Sequence, residues 1–183
     1  MDTGVLVYVE LEGVPLLAGR LWSRTRRGRE GATFEYHEAF LDHPQRFSLD
    51  PALTLGPGPF HTRADRASFG ALGDSAPDRW GRVLMRRAER RRAERAGEAP
   101  RTLREIDYLL GVDDEARLGA LRFAEEEGGP FLATHDPPRI PPLVELPRLL
   151  AAAEHITSDS ETPGSSLGGA RPKASLRERD GQL

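Results

Sequence analysis

The sequence predicts an α+β fold, on three observations. Apolar and β-branched residues dominate the opening segments, which glycine-bearing turns separate. After Phe69 the apolar spacing changes to that of helices, with capping residues in front. At residues 118–123 strand character returns.

In chain order, residues 5–11 read as a first strand, Glu12-Gly13 as a turn and residues 16–22 as a second strand. Residues 24–31 are a polar connection, residues 33–36 a third strand, and residues 47–55 are suited to a further one. Gly56-Pro57-Gly58-Pro59 ends regular structure, because neither residue type continues a strand or helix. Ser75-Ala76-Pro77-Asp78 predicts a helix start, with Trp80, Val83, Leu84 and Ala88 forming one buried stripe. Thr102-Leu103-Arg104-Glu105 has the pattern of a capping box and opens a second helix whose Leu103, Ile106, Leu109 and Leu110 face inward. Residues 125–142 are acidic, then rich in Gly and Pro, and read as a linker. Residues 143–156 read as helical from near Pro147, residues 157–166 as a polar mobile stretch, and residues 174–183 as a hairpin whose second strand has barely begun. An unfinished strand leaves its partner's edge unpaired, so a truncated chain is expected. There is no internal repeat.

Composition narrows the chemistry. The 183 residues suffice for one medium domain or two small ones, and a net charge of −3 does not favour nucleic acid or a membrane as main partner. No cysteine is present, which excludes disulfides, thiolate nucleophiles and Cys-type zinc sites. No signal peptide or spanning apolar run stands out, so a cytoplasmic protein is expected. His37, His43, His61, His135 and His155 lack metal-ligand spacing, and no GxSxG elbow accompanies the serines. The clusters Asp113-Asp114-Glu115 and Glu125-Glu126-Glu127 read as solvated linker acids. Ten arginines against Glu89, Glu94 and Glu98 lie between residues 79 and 104. A solvated face laced with Arg–Glu pairs explains them more simply than a contact to nucleic acid or to a protein partner.

One loop suits phosphate binding. Gly168 and Gly169, flanked by Ser166, Leu167 and Ala170, let backbone amides approach an anion, and Arg171 and Lys173 add positive charge. Lys173 is the only lysine among 26 basic residues. The loop is neither a Walker A motif, since Ala170 stands where lysine is required, nor a GxGxxG loop. The same residues also suit a flexible turn before a strand.

Three motifs occur in order: Phe69-Gly70-Ala71-Leu72-Gly73-Asp74-Ser75-Ala76-Pro77-Asp78-Arg79-Trp80-Gly81-Arg82; Asp107-Tyr108-Leu109-Leu110-Gly111 followed by Arg117-Leu118-Gly119-Ala120-Leu121-Arg122-Phe123; and Ser165-Ser166-Leu167-Gly168-Gly169-Ala170-Arg171-Pro172-Lys173-Ala174. In this order and spacing the chain resembles the HipA family of serine/threonine kinase toxins of bacterial toxin–antitoxin systems. The resemblance implies an N-terminal subdomain over residues 1–124 (β-rich 1–60, helical 69–112, strand 118–123), a linker over 125–144, and the truncated start of a kinase-like nucleotide-binding lobe over 145–183. It implies that Ser166, Leu167, Gly168, Gly169, Ala170, Arg171 and Lys173 cover the phosphates of ATP, with Mg2+ as the accompanying ion. Ser166 matches the family's autophosphorylated serine. It further implies a helix-turn-helix antitoxin of the HipB type, contact with DNA only through that antitoxin, a protein substrate such as an aminoacyl-tRNA synthetase, and no membrane. The catalytic aspartate and the metal-binding acid are expected beyond Leu183, so this chain by itself is expected to be inactive. The alternative is a stand-alone N-terminal module that neutralises a partner kinase in a split system.

Overall fold

The structure is a computed structural model and describes residues 3–133. Its core is a five-stranded antiparallel sheet in the order β4-β3-β2-β1-β5. The strands are β1 (Thr3–Leu11), β2 (Val14–Arg26), β3 (Arg29–Tyr36), β4 (Pro59–His61) and β5 (Leu121–Ala124). Four helices complete it: α1 (Glu38–Leu41), α2 (Gly70–Asp74), α3 (Arg79–Ala96) and α4 (Glu105–Leu110). The fold of the described residues is therefore α+β. No helix among them is long and apolar enough to cross a membrane.

Two tight hairpins set the register. Glu12 and Gly13 have φ of 51° and 79°, and Arg27 and Gly28 have 50° and 75°. Positive φ at both central residues matches the twist of paired strands. The expected polar connection over 24–31 is consequently only two residues long, because the β2–β3 ladder runs through Arg26↔Arg29. β1 alternates between two apolar surfaces. Val5, Val7 and Val9 enter the main core, while Leu6 and Tyr8 pack with Ala124, Leu17 and Phe131 on the other face. Burial on both faces accounts for the nearly continuous apolar run of this strand.

The main core is closed by Phe40, Leu72, Ile106 and Leu109, and by the loop residues Leu49, Leu53 and Phe69. Residues 47–55 form no strand. Instead, the buried Tyr36 hydroxyl donates to the Leu53 carbonyl (2.7 Å) and accepts from the Leu49 amide (3.0 Å), pinning the segment as a loop. After the Gly-Pro run, Pro59–His61 does continue as an edge strand on β3. An edge tolerates Pro59 because it asks little of the missing amide.

The helices begin later than their sequence signals suggest. Ser75 ends α2, and the N-cap of α3 is Asp78, whose carboxylate accepts from the Gly81 amide (2.7 Å). Gly97, at φ 65°, ends α3. The buried residues of α3 are Gly81, Glu89 and Ala93, not the expected stripe of Trp80, Val83, Leu84 and Ala88; the first three of those are half-buried and Ala88 is exposed. α4 starts at Glu105, with the Arg104 amide donating to Asp107 (2.8 Å), so the capping pair lies two residues beyond the expected one. Leu118 is exposed, and β5 begins at Leu121. Contacts with the sheet continue past residue 124: Ala124 bridges to Phe131, and the Leu132 amide donates to the Phe123 carbonyl (2.7 Å).

Candidate functional site

The phosphate-loop candidates Ser166, Leu167, Gly168, Gly169, Ala170, Arg171 and Lys173 lie outside the described residues, as do the helix expected over 143–156 and the hairpin over 174–183. The other two motifs lie within them, and the fold brings them together.

Their meeting point is the buried Arg117. Its guanidinium donates to the carbonyls of Leu109 (2.8 Å), Val112 (2.9 Å) and Ser75 (3.3 Å) and lies 4.7 Å from the Phe123 ring centre. One side chain thus joins the end of α2, the end of α4 and Phe123 of β5. Burial pulls its pKa down to about 10, against the pull of Asp114 and Asp113, so it stays charged at neutral pH. Beside it, Asp113 and Asp114 are buried rather than solvated. Asp114 is held by Arg122, which also donates to Glu10 (3.0 Å) and stacks 3.8 Å from the Phe131 ring centre. Burial works against the Arg122 charge, but the carboxylates of Asp114 and Glu10 outweigh it and raise its pKa. These acids belong to a structural cluster because the chain turns from α4 into β5 beneath them. Arg117 belongs to the second motif, but its buried, joining role was not expected from the sequence. The available signal was a basic residue that closely follows the acids Asp113, Asp114 and Glu115 and precedes the strand by a few residues.

A second junction ties α3 to α4. Arg82 donates both terminal nitrogens to Glu105 (2.5 and 2.8 Å) and Nε to the Pro77 carbonyl (3.1 Å), with its guanidinium 4.7 Å from the Tyr108 ring centre. The Glu105 hydrogen bonds are the main reason its pKa is raised. The Glu105 amide in turn donates to Glu30 of β3 (2.8 Å).

The front of the first motif lines an open cleft of about 210 Å³, whose wall includes Asp50, His61, Arg63, Arg66, Phe69 and Gly70. Of its two acids, Asp50 accepts from the amides of Ala52 and Ala71 (both 2.8 Å), and Asp65 faces Arg63. His61 Nδ1 lies 2.9 Å from the Thr33 hydroxyl, and Arg63 pairs with Asp65 at 3.5 Å. The cleft is smaller than the roughly 300–1,000 Å³ of pockets that enclose drug-sized ligands, so it does not suit a nucleotide.

The arginine-rich helix divides into two faces. Glu89, buried on α3, accepts from Arg92 (3.0 Å to each oxygen) and from the Arg101 amide (3.2 Å); Arg92 also reaches Glu98 and Arg101 reaches Asp107. These arginines are laced to carboxylates as expected, but Glu89 at the centre of the network is buried where a solvated face was expected. Arg79, Arg87 and Arg90 have no ion-pair partner among the described residues, and Arg87 lies 5.8 Å from the Trp80 ring centre. Among the described residues, no group of three His, Asp or Glu side chains could hold a metal ion.

No protein-family model, curated protein or solved structure matches this chain.

Proposed function

We propose that this chain is the N-terminal portion of a HipA-type serine/threonine protein kinase, with residues 1–124 as its N-terminal subdomain and Ser166–Lys173 as the loop over the ATP phosphates. The observation that carries this reading is the Arg117 junction. Two of the three motifs behind the family resemblance, separated in sequence, meet on one buried side chain, which supports reading them as parts of one unit. In this reading the complete kinase uses Mg2+ and ATP to phosphorylate a Ser or Thr of a protein such as an aminoacyl-tRNA synthetase. A HipB-type helix-turn-helix antitoxin restrains it and supplies the contact with DNA. The carboxylates at the motif junctions are committed to arginines or backbone amides (Asp50, Asp78, Glu105 and Asp114 among them), which supports placing the catalytic aspartate and metal-binding acid elsewhere. The chain alone is then inactive.

With labelled ATP, magnesium and a candidate synthetase, no transfer above a no-protein control is expected; reproducible labelling by a clean preparation would refute inactivity. In the chain joined to a kinase catalytic region, Gly169→Val blocks amide approach to the phosphates. Lys173→Ala removes a charge-assisted contact worth about 1.5–3 kcal/mol, so ATP affinity falls about tenfold or more. Ser166→Ala leaves ATP binding nearly intact and abolishes self-phosphorylation. Unchanged affinity in both the Gly169 and Lys173 variants, by calorimetric titration, would return the loop to an ordinary turn.

A second reading is favoured by one observation: residues 3–133 close a core from their own side chains. Such a unit suits a stand-alone module that binds and neutralises a separate kinase. Inhibition of a partner kinase by this chain in trans would support that reading over the first.

A further inference from the structure

The two sides of α3 differ in a way that the core does not explain. Gly81, Glu89 and Ala93 face the protein, and Met85, on the same line, lies where a side chain at Gly111 would collide with it. At 3.6 residues per turn, Trp80, Val83, Leu84, Arg87 and Arg90 fall on the opposite side. Trp80, Val83 and Leu84 are half-buried yet belong to neither apolar core cluster. Next to them stand Arg79, Arg87 and Arg90, without ion-pair partners among the described residues, and one acid, Glu94. A bare phosphate backbone would satisfy those arginines but leave the exposed part of the indole, valine and leucine in water. A segment both apolar and acidic satisfies the whole face.

We propose that this face is the docking surface for the chain's own residues 143–156, within a net-acidic stretch. The assignment is independent of the kinase reading. Those residues supply Leu149, Leu150, Ala153 and Ile156 at helical spacing, together with Glu145 and Glu154. Residues 143–156 hold two acids against one arginine, within a stretch (134–161) of five acids against two arginines, whereas α3 holds eight arginines against two glutamates. The ten residues between Leu132 and Leu143 span up to about 33–36 Å when extended, more than the roughly 27 Å length of an 18-residue helix. Tethering keeps the local concentration of the segment high, so modest complementarity suffices.

The natural absence of cysteine makes cross-linking a clean test. In the full chain, Val83→Cys is paired in turn with Leu149→Cys, Leu150→Cys, Ala153→Cys or Ile156→Cys and oxidised mildly. The products are resolved by non-reducing electrophoresis and mass spectrometry. The exposed pair Arg87→Cys with Glu154→Cys guards against misfolding, and each reduced variant is checked by circular dichroism. The expected result is an intramolecular disulfide in the monomer for at least one pair. Its formation should slow several-fold on Glu145→Arg with Glu154→Arg at low salt, and lose that dependence at high salt. Cross-links only between two chains would assign the face to a second copy, and no cross-link in any folded pair would leave it to an outside partner. Either result overturns the proposal.

Discussion

The Arg117 guanidinium donates to the Ser75 carbonyl across 42 residues of sequence, and the same group holds the Leu109 and Val112 carbonyls. A buried cation facing carbonyls is costly to remove, because each acceptor left open forfeits about 1–3 kcal/mol. It is also costly to keep, since its charge was taken out of water. Arg117→Met relieves the second cost but leaves the three carbonyls open, and is expected to destabilise the fold by about 2–3 kcal/mol in urea unfolding. Arg117→Lys keeps the charge but lacks the planar fork, so it should not restore stability. A shift below about 0.5 kcal/mol in either variant would mean that Arg117 is not the junction described.

Glu89 gives a pH dependence of known sign. Hydrogen bonds from Arg92, aided by the Arg101 amide and both positive charges, lower its pKa to about 2 despite desolvation. A carboxylate depressed in the folded state contributes stability above its unfolded pKa, and that contribution is lost as pH falls towards the folded value. Melting temperatures of the native chain and of Glu89→Gln should therefore differ by a constant amount from pH 7 to about 5 and converge between roughly pH 4.5 and 2. A gap that stays constant down to pH 2 would exclude this ion network as its source.

Gly19 tests the sheet. A Cβ there would lie 2.2 Å from the Glu35 carbonyl oxygen and 2.6 Å from Phe34 Cζ, and the oxygen belongs to backbone that cannot swing aside. Gly19→Ala should cost about 1–3 kcal/mol or more, seen as a lower urea midpoint. Gly13→Ala, whose Cβ would meet nothing within 4 Å, isolates the separate cost of a left-handed backbone conformation. Equal losses in the two variants would contradict the close approach at Gly19.

The strands β1, β2 and β3 were legible because local signals agreed: β-branched alternation and a glycine at each turn. The start of α3 was legible to within a few residues, since Ser75 and Asp78 are both capable caps and only the chain path selects between them. The segment over 47–55 misled because a run with apolar residues is compatible with a strand. What makes it a loop is a hydroxyl arriving from Tyr36.

By itself the sequence determined the α+β class, the first tight turn, the arginine-rich helix and the order of the motifs, all of which rest on neighbours within a few residues of one another. Only the tertiary structure decided which face of α3 turns inward, and that Asp113, Asp114 and Arg117 are buried together. The physical reason is the same in each case. Removing a charge from water is unfavourable unless partners from distant elements meet it, and spacing along one segment carries no record of those partners.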